Sequence, residues 1–257
     1  MPARHPSILK GIAHGRTMRH LRGLADRIET QDVTSLRPLR SQAREIMRAA
    51  GTAYLHAEAR LALPLIGGAP IEAPVQSDWR HRPEIWTRPI RPSGLAGPAN
   101  RTVFGDEATL YHDCPLAEVT LRQERNRQLE DVAPFGLSVD VLGFEGSFLS
   151  LAIDLPPKGI ADLRRRHIIR LAAHVACENP LEVYARLNIK HGPNTEQLTR
   201  DFDLGSEDLI TEWDLTYLDI NENRIEAAWI DLILDRPAFN RIVLRDLTVS
   251  RRPRADV

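Results

Sequence analysis

From Arg101 onward, apolar and polar residues alternate with a period of two, in runs separated by Gly, Pro, Asn and Asp, which predicts strands joined by turns. Ten runs carry the pattern: 109–112, 117–122, 135–143, 147–155, 167–177, 181–190, 197–203, 209–220, 224–235 and 241–250. A turn at 160–163 is the one helical feature among them. So many strands with so little intervening helix predict a mainly β fold, an antiparallel β-sandwich of jelly-roll type. The stretch 208–237 reads as a central hairpin. Leu209, Trp213, Leu215 and Tyr217 form the apolar parity of its first strand, and Ala228, Ile230, Leu232 and Leu234 that of its second. With Asn221 and Glu222 as the loop, Trp213 falls opposite Ile230, and Glu212, Asp214, Trp229 and Asp231 gather on the outer face. Two more hairpins follow by the same rule. Leu137, Val139 and Val141 would face Leu149, Leu151 and Ile153 across Phe144-Glu145-Gly146, and Ile169, Leu171, Ala173 and Val175 would face Val183, Ala185, Leu187 and Ile189 across Asn179-Pro180.

The first sixty residues carry a different period. Helices are expected at 17–30 and 35–62, the second with Thr34 or Ser35 as N-cap. Along it Leu36, Leu39, Ala43, Ile46, Ala50, Ala53, Ala57 and Leu61 recur every three or four residues. So narrow and alanine-rich a stripe suits close packing, whether on a helix of the same domain or on a neighbouring subunit. Residues 63–100 are dense in Pro and Gly and read as an extended, helix-free connector, with Trp79 and Trp86 anchoring it to a neighbouring surface. The expected organisation is therefore a helical arm (1–62) for oligomerisation or attachment, a connector (63–100) and a β-sandwich (101–257).

Composition narrows the partners. The 257-residue chain is 42% hydrophobic and 27% charged with a formal net charge of -1, so no global field recruits nucleic acid or an anionic membrane. Basic charge concentrates in the arm, where eleven Lys and Arg stand against five acids in residues 1–60, but without the interleaved aromatics of a nucleic-acid site. The start MPARHPSILKGIAHGR lacks an apolar signal-peptide core, and no apolar run approaches the ~20 residues that span a bilayer. We therefore expect no membrane insertion, and synthesis in a cytoplasm-like compartment. Cys114 and Cys177 are too few for a disulfide framework and read as small buried thiols.

No nucleophile elbow, phosphate loop, dinucleotide fingerprint or zinc-helix motif occurs. His167, His174 and His191 match no metal-ligand spacing, and Asp219–Asn223 lacks the glycine of a calcium loop, so neither metal nor cofactor is expected. Glu212, Asp214 and Asp231 have the residue types of a glycoside hydrolase, but alternating acids also keep an exposed strand soluble, and nothing suggests the burial that raises a carboxyl's pKa. A binding protein rather than an enzyme is the expectation. Two surfaces have suitable composition. Trp229 among Glu212, Asp214 and Asp231 would offer a sugar an aromatic plate and hydroxyl partners. Tyr184, Arg186, Asn188 and Lys190, with Arg170 and His174, would present cations to an anionic polymer.

The segments FGLSVDVLGFEGSFLSLAIDLP and RDLTVSRRPR, within a C-terminal half ending AFNRIVLRDLTVSRRPRADV, resemble the head-spike proteins of alphaproteobacterial gene transfer agents, the phage-like particles of Rhodobacter-type bacteria. The resemblance implies a non-enzymatic structural role. The chain would be a capsid-vertex subunit that forms a homo-oligomer, contacts capsid and spike-fibre proteins, and supports attachment to the capsule polysaccharide of a recipient cell. It would be made in the cytoplasm and become extracellular with the released particle. No residue role carries over. The alternatives are a free-standing carbohydrate-binding β-sandwich and, behind it, a glycan-active hydrolase.

Overall fold

The computed structural model describes residues 8–26, 28, 31–66, 71–128, 130–202 and 208–254. The chain divides into two compact units, Met1–Tyr54 and Leu55–Val257. The first holds helix α1 (Ile8–Ala25) and most of α2 (Val33–Ile66). Both helices begin earlier than the pattern predicts, and α2 is capped by Asp32 rather than by Thr34 or Ser35. The Asp32 carboxylate accepts the Thr34 N–H at 3.3 Å and the Thr34 hydroxyl, and these bonds hold its carboxyl below the usual range. On α2, Ile46, Met47 and Tyr54 are 48%, 69% and 51% exposed. Among the described residues no helix is long and apolar enough to cross a membrane.

The second unit is built on strands β1 (Trp79–His81), β2 (Gly94–Ala96), β3 (Thr102–Val103), β4 (Ala108–His112), β5 (Val119–Arg125), β6 (Phe135–Val141), β7 (Leu149–Asp154), β8 (His167–Cys177), β9 (Glu182–His191), β10 (Asn194–Phe202), β11 (Asp208–Asp214), β12 (Ile225–Asp235) and β13 (Asn240–Pro253), with short helices α3 (Glu84–Thr87) and α4 (Pro157–Ile160). All pairings are antiparallel. Sheet I has the order β11-β8-β13-β6-β5-β2, with β1 on the second half of β13, and sheet II has the order β10-β9-β12-β7-β4-β3. Strands β6 to β13 make an eight-stranded jelly roll, β11-β8-β13-β6 stacked on β10-β9-β12-β7, extended at one side by the earlier strands.

This topology overturns all three expected hairpins. β6 and β7, β8 and β9, and β11 and β12 each lie in different sheets, so each connection crosses the sandwich. Trp213 pairs with Ile169 in sheet I, while Ile230 pairs with Leu187 and Ile153 in sheet II. The expected parities are nonetheless those that are buried: Leu209 and Trp213 from β11, Leu215 just after it, and Ala228, Ile230, Leu232 and Leu234 from the other sheet meet in one core. Alternation marks the face that turns inward, and in a sandwich two strands that cross between sheets turn inward just as two paired strands do. Tyr217 is the exception. The β11–β12 connection coils into two 3-10 turns, Leu215–Tyr217 and Glu222–Arg224, started by side-chain acceptors on Asp214 and Asn221, and Tyr217 is left 76% exposed. A hairpin the pattern missed joins β9 to β10, with Gly192 at φ 58 in its turn.

The proline-rich segment is part of the sandwich rather than a bare extended connector. It supplies β1, β2 and α3; Pro83, fixed at φ −62, stands as the N-cap of α3 and so favours the helix instead of breaking it. Trp86 is fully buried and donates its indole N–H to Leu244 O at 3.0 Å. Trp79 packs on the core and stacks on His81. The Gln123 side chain donates to Ile85 O and Arg88 O and accepts the Ile90 N–H, which ties the segment to β5. Cys114 is buried and Cys177 half-buried, both free thiols. His167 and His191 are buried, their Nδ1 atoms accepting the N–H groups of Arg164 and Asn221, so their roles lie in holding crossings.

Candidate ligand-binding face

β12 lies inside sheet II, so the outward-pointing half of its residues meets neighbours on both sides. The register aligns Gln197, Asn188, Trp229 and Asp154 in one row across β10, β9, β12 and β7, a span of ~14 Å at the usual strand spacing. The next row holds Thr199, Arg186, Asp231 and Ala152, and the one beyond it Asp201, Tyr184, Ile233 and Ser150. Six residues singled out in the sequence, Trp229, Asp231, Tyr184, Arg186, Asn188 and Lys190, thus share one face.

The polar groups there are positioned by one another. Asp231 is only 5% exposed, and its Oδ2 accepts Nε and Nη2 of Arg186 at 3.0 and 2.8 Å and Nδ2 of Asn188 at 2.9 Å. The Asn188 Oδ1 in turn accepts Gln197 Nε2 at 2.8 Å. Tyr184 donates to Glu182 at 2.7 Å, a bond that raises its phenol above the usual range. Lys190 pairs with Glu226 at 2.8 Å. Trp229 is half-buried, and its indole N–H donates to no acceptor among the described residues. Directly across from it, the exposed Asp154 has its carboxyl raised above the usual range by partial desolvation and then by the carboxylates of Glu107 and Asp231. Its backbone N–H donates to Glu107 O at 2.8 Å. The Glu107 carboxylate is engaged elsewhere: desolvation pushes its carboxyl up, but bonds from His81 and the Glu84 N–H outweigh that and lower it.

Glu212 and Asp214 are not part of this face. They lie on the outer side of sheet I, where Glu212 binds Arg252 at 2.9 Å and Arg170 at 3.5 Å, and Asp214 binds Arg254 at 3.3 Å. The expected plate ringed by three acids is therefore split, because β11 and β12 belong to sheets ~10 Å apart. The expected cationic surface is split as well. Arg170 and His174 sit on sheet I, Tyr184, Arg186, Asn188 and Lys190 on sheet II, and Arg170, Arg186 and Lys190 each face a carboxylate. In an outer cleft of about 390 Å³ on sheet I the arginines are likewise engaged, Arg82 on Asp246 at 2.8 Å and Arg245 on Asp131 at 3.6 Å, and His174 bonds Asp208 at 2.9 Å. Among the described residues no group of His, Cys, Asp and Glu is arranged to hold a metal ion.

The profile of DUF6478, a family of unknown function, matches residues 1–257. The chain belongs to DUF6478. No curated protein sequence matches it. Among solved structures, the DUF6478 chain is similar to the enzymatically active domain of tailspike protein 4 from bacteriophage CBA120, at 10% identity and TM-score 0.40, over 55% of this chain and 19% of that one. It is similar to a family 11 carbohydrate-binding module from Clostridium thermocellum at 12% identity and TM-score 0.35, over 60% of this chain and 94% of the module. A CBM22-1 xylan-binding domain from Paenibacillus barcinonensis Xyn10C gives 8% identity and TM-score 0.37, over 63% and 94%. Overlap at this level concerns strand arrangement and transfers no residue role. Two members of the DUF6478 face, Asp154 and Gln197, were not singled out in the sequence. Alternation turns Asp154 outward, but only the β7–β12 register brings it to Trp229.

Proposed function

We propose that this DUF6478 protein is a carbohydrate-binding β-sandwich that takes a glycan chain on the outer face of sheet II. The observation that carries the reading is Trp229 set between Asn188 and Asp154 beside the Arg186–Asp231–Asn188–Gln197 network. A sugar ring offers C–H groups to an aromatic face and hydroxyls to carboxylates and amides, and side chains already fixed by one another lose little freedom on binding. Binding is favoured over hydrolysis because Glu212 and Asp214 lie on the opposite sheet, and Asp231 spends Oδ2 on three protein donors, so these acids do not flank a common bond. Affinity electrophoresis in gels containing single polysaccharides tests the reading. The wild type should be retarded by at least one polymer, and Trp229→Ala, folded by circular dichroism, should migrate as in an empty gel. Equal retardation of both proteins would remove the face from consideration.

A second reading places the sandwich on a phage-like particle, as a head-spike subunit facing recipient-cell capsule. Helix α2 favours it: 34 residues extend ~50 Å, and Ile46, Met47 and Tyr54 are exposed along it, as suits an arm that gains buried area on assembly. Light scattering should then show mass rising with concentration, and removal of residues 1–54 should abolish the rise. A concentration-independent monomer would count against this reading and leave the glycan reading untouched.

A further inference from the structure

We infer that the Trp229 face selects neutral glycans and rejects acidic ones, an inference that rests on the glycan reading above. The basis is charge accounting around the aromatic plate. Both cations beside it on β9 are committed: Arg186 to the buried Asp231, and Lys190 to Glu226. Freeing Arg186 for a ligand would strand a carboxylate that is 5% exposed, with only the Asn188 amide left to it. Asp154 has no cationic partner among the described residues, and it stands directly across from Trp229, with the two Cβ atoms ~5 Å apart in such a pair. Asp231, two residues along β12, is balanced by Arg186, which leaves Asp154 as the uncompensated charge beside the plate. Partial desolvation, and after it the carboxylates of Glu107 and Asp231, raise the Asp154 carboxyl, with no cation among the described residues to lower it.

A carboxylate or sulfate on a sugar over Trp229 would therefore meet like charge with no uncommitted guanidinium or ammonium on β9 to receive it. A hydroxyl in the same place donates to Asp154. The unspent indole N–H of Trp229 supplies a donor for a sugar oxygen, and Gln197, which spends its amide N–H on Asn188, keeps Oε1 as an acceptor. Each remaining group on the row thus suits an uncharged, polyhydroxylated chain.

Affinity electrophoresis near neutral pH, with a neutral glucan, xylan and galactomannan and the carboxymethylated form of each, tests the selectivity. For the polymer that retards the wild type, the carboxymethylated form should bind about tenfold more weakly or worse. High salt should narrow that gap. Asp154→Asn should shrink the tenfold gap to about threefold, the gap being the ratio of neutral to carboxymethylated binding by that same variant. Asp154→Ser, which keeps a hydroxyl at the position, should do the same. Acidic polymer bound as tightly as neutral by the wild type, or a gap unchanged in both Asp154 variants, would overturn the selectivity and leave glycan binding standing. No retardation by any polymer would overturn both.

Discussion

Asp231 shows how a carboxylate is tolerated on a nearly closed part of a sheet face. Its Oδ2 collects two Arg186 donors and the Asn188 amide, and removing it leaves the Arg186 guanidinium without its carboxylate and the buried amide with only the carbonyls of Arg186 and Trp229. Asp231→Ala should therefore cost about 1–3 kcal/mol in urea unfolding, and Asp231→Asn less, with the m-value unchanged. His167 is the pH-sensitive counterpart. It is almost fully buried, its Nδ1 accepts the Arg164 N–H, and burial, followed by the charge of Arg251, holds its pKa below the ordinary 6.5. Because the folded value lies below the unfolded one, the unfolded chain takes up the proton first as pH falls. The contribution of His167 is complete above about pH 6.5 and is lost as pH drops toward the folded value. Unfolding free energy measured across that window should slope downward in the wild type, and the slope should flatten in His167→Asn, whose Oδ1 replaces the lost acceptor. At this scale Trp229 and Asp231 were legible from parity alone. Asp154 was not, since its relation to Trp229 depends on which strand pairs with β12.

At the scale of elements, the strands were legible and their partners were not. Run 167–177 coincides with β8 and run 224–235 nearly with β12, because Val, Ile and Leu at alternate positions need a buried face whatever sheet they join. Partner choice depends on the connections, and a jelly roll sends consecutive strands to opposite sheets. Glu212 and Trp229 would meet only in a β11–β12 hairpin, which the fold does not form, while Asn188 and Trp229, distant in sequence, are direct neighbours. The connector follows a similar logic. Its prolines suppress long periodic runs, so β1, β2 and α3 leave no pattern, yet its tryptophans mark where it is held. Trp86→Ala should cost about 3–5 kcal/mol, since it empties a fully buried site and removes the hydrogen bond to Leu244 O. Limited proteolysis should then cut within 71–92, where the wild type resists.

For the molecule as a whole, two consequences follow from the fold. The jelly roll closes one apolar core and frees the two outer faces to differ. On sheet I the arginines are paired with acids across most of the surface, whereas sheet II carries a half-buried tryptophan with an unspent donor beside an unpaired carboxylate. The fold class could be read from strand count and turn spacing, but the difference between the faces could not, because it arises from pairings made across the chain. The central claim is that a glycan lands on Trp229. Trp86 and Trp213 are fully buried and Trp79 lies on β1 in sheet I, so a ligand on sheet II perturbs the emission of Trp229 alone. The decisive measurement is a fluorescence titration of the full chain with neutral oligosaccharides. A saturable emission change in the wild type that is absent from folded Trp229→Ala is the expected result; no change with any of them, or the same change in the variant, would contradict the claim.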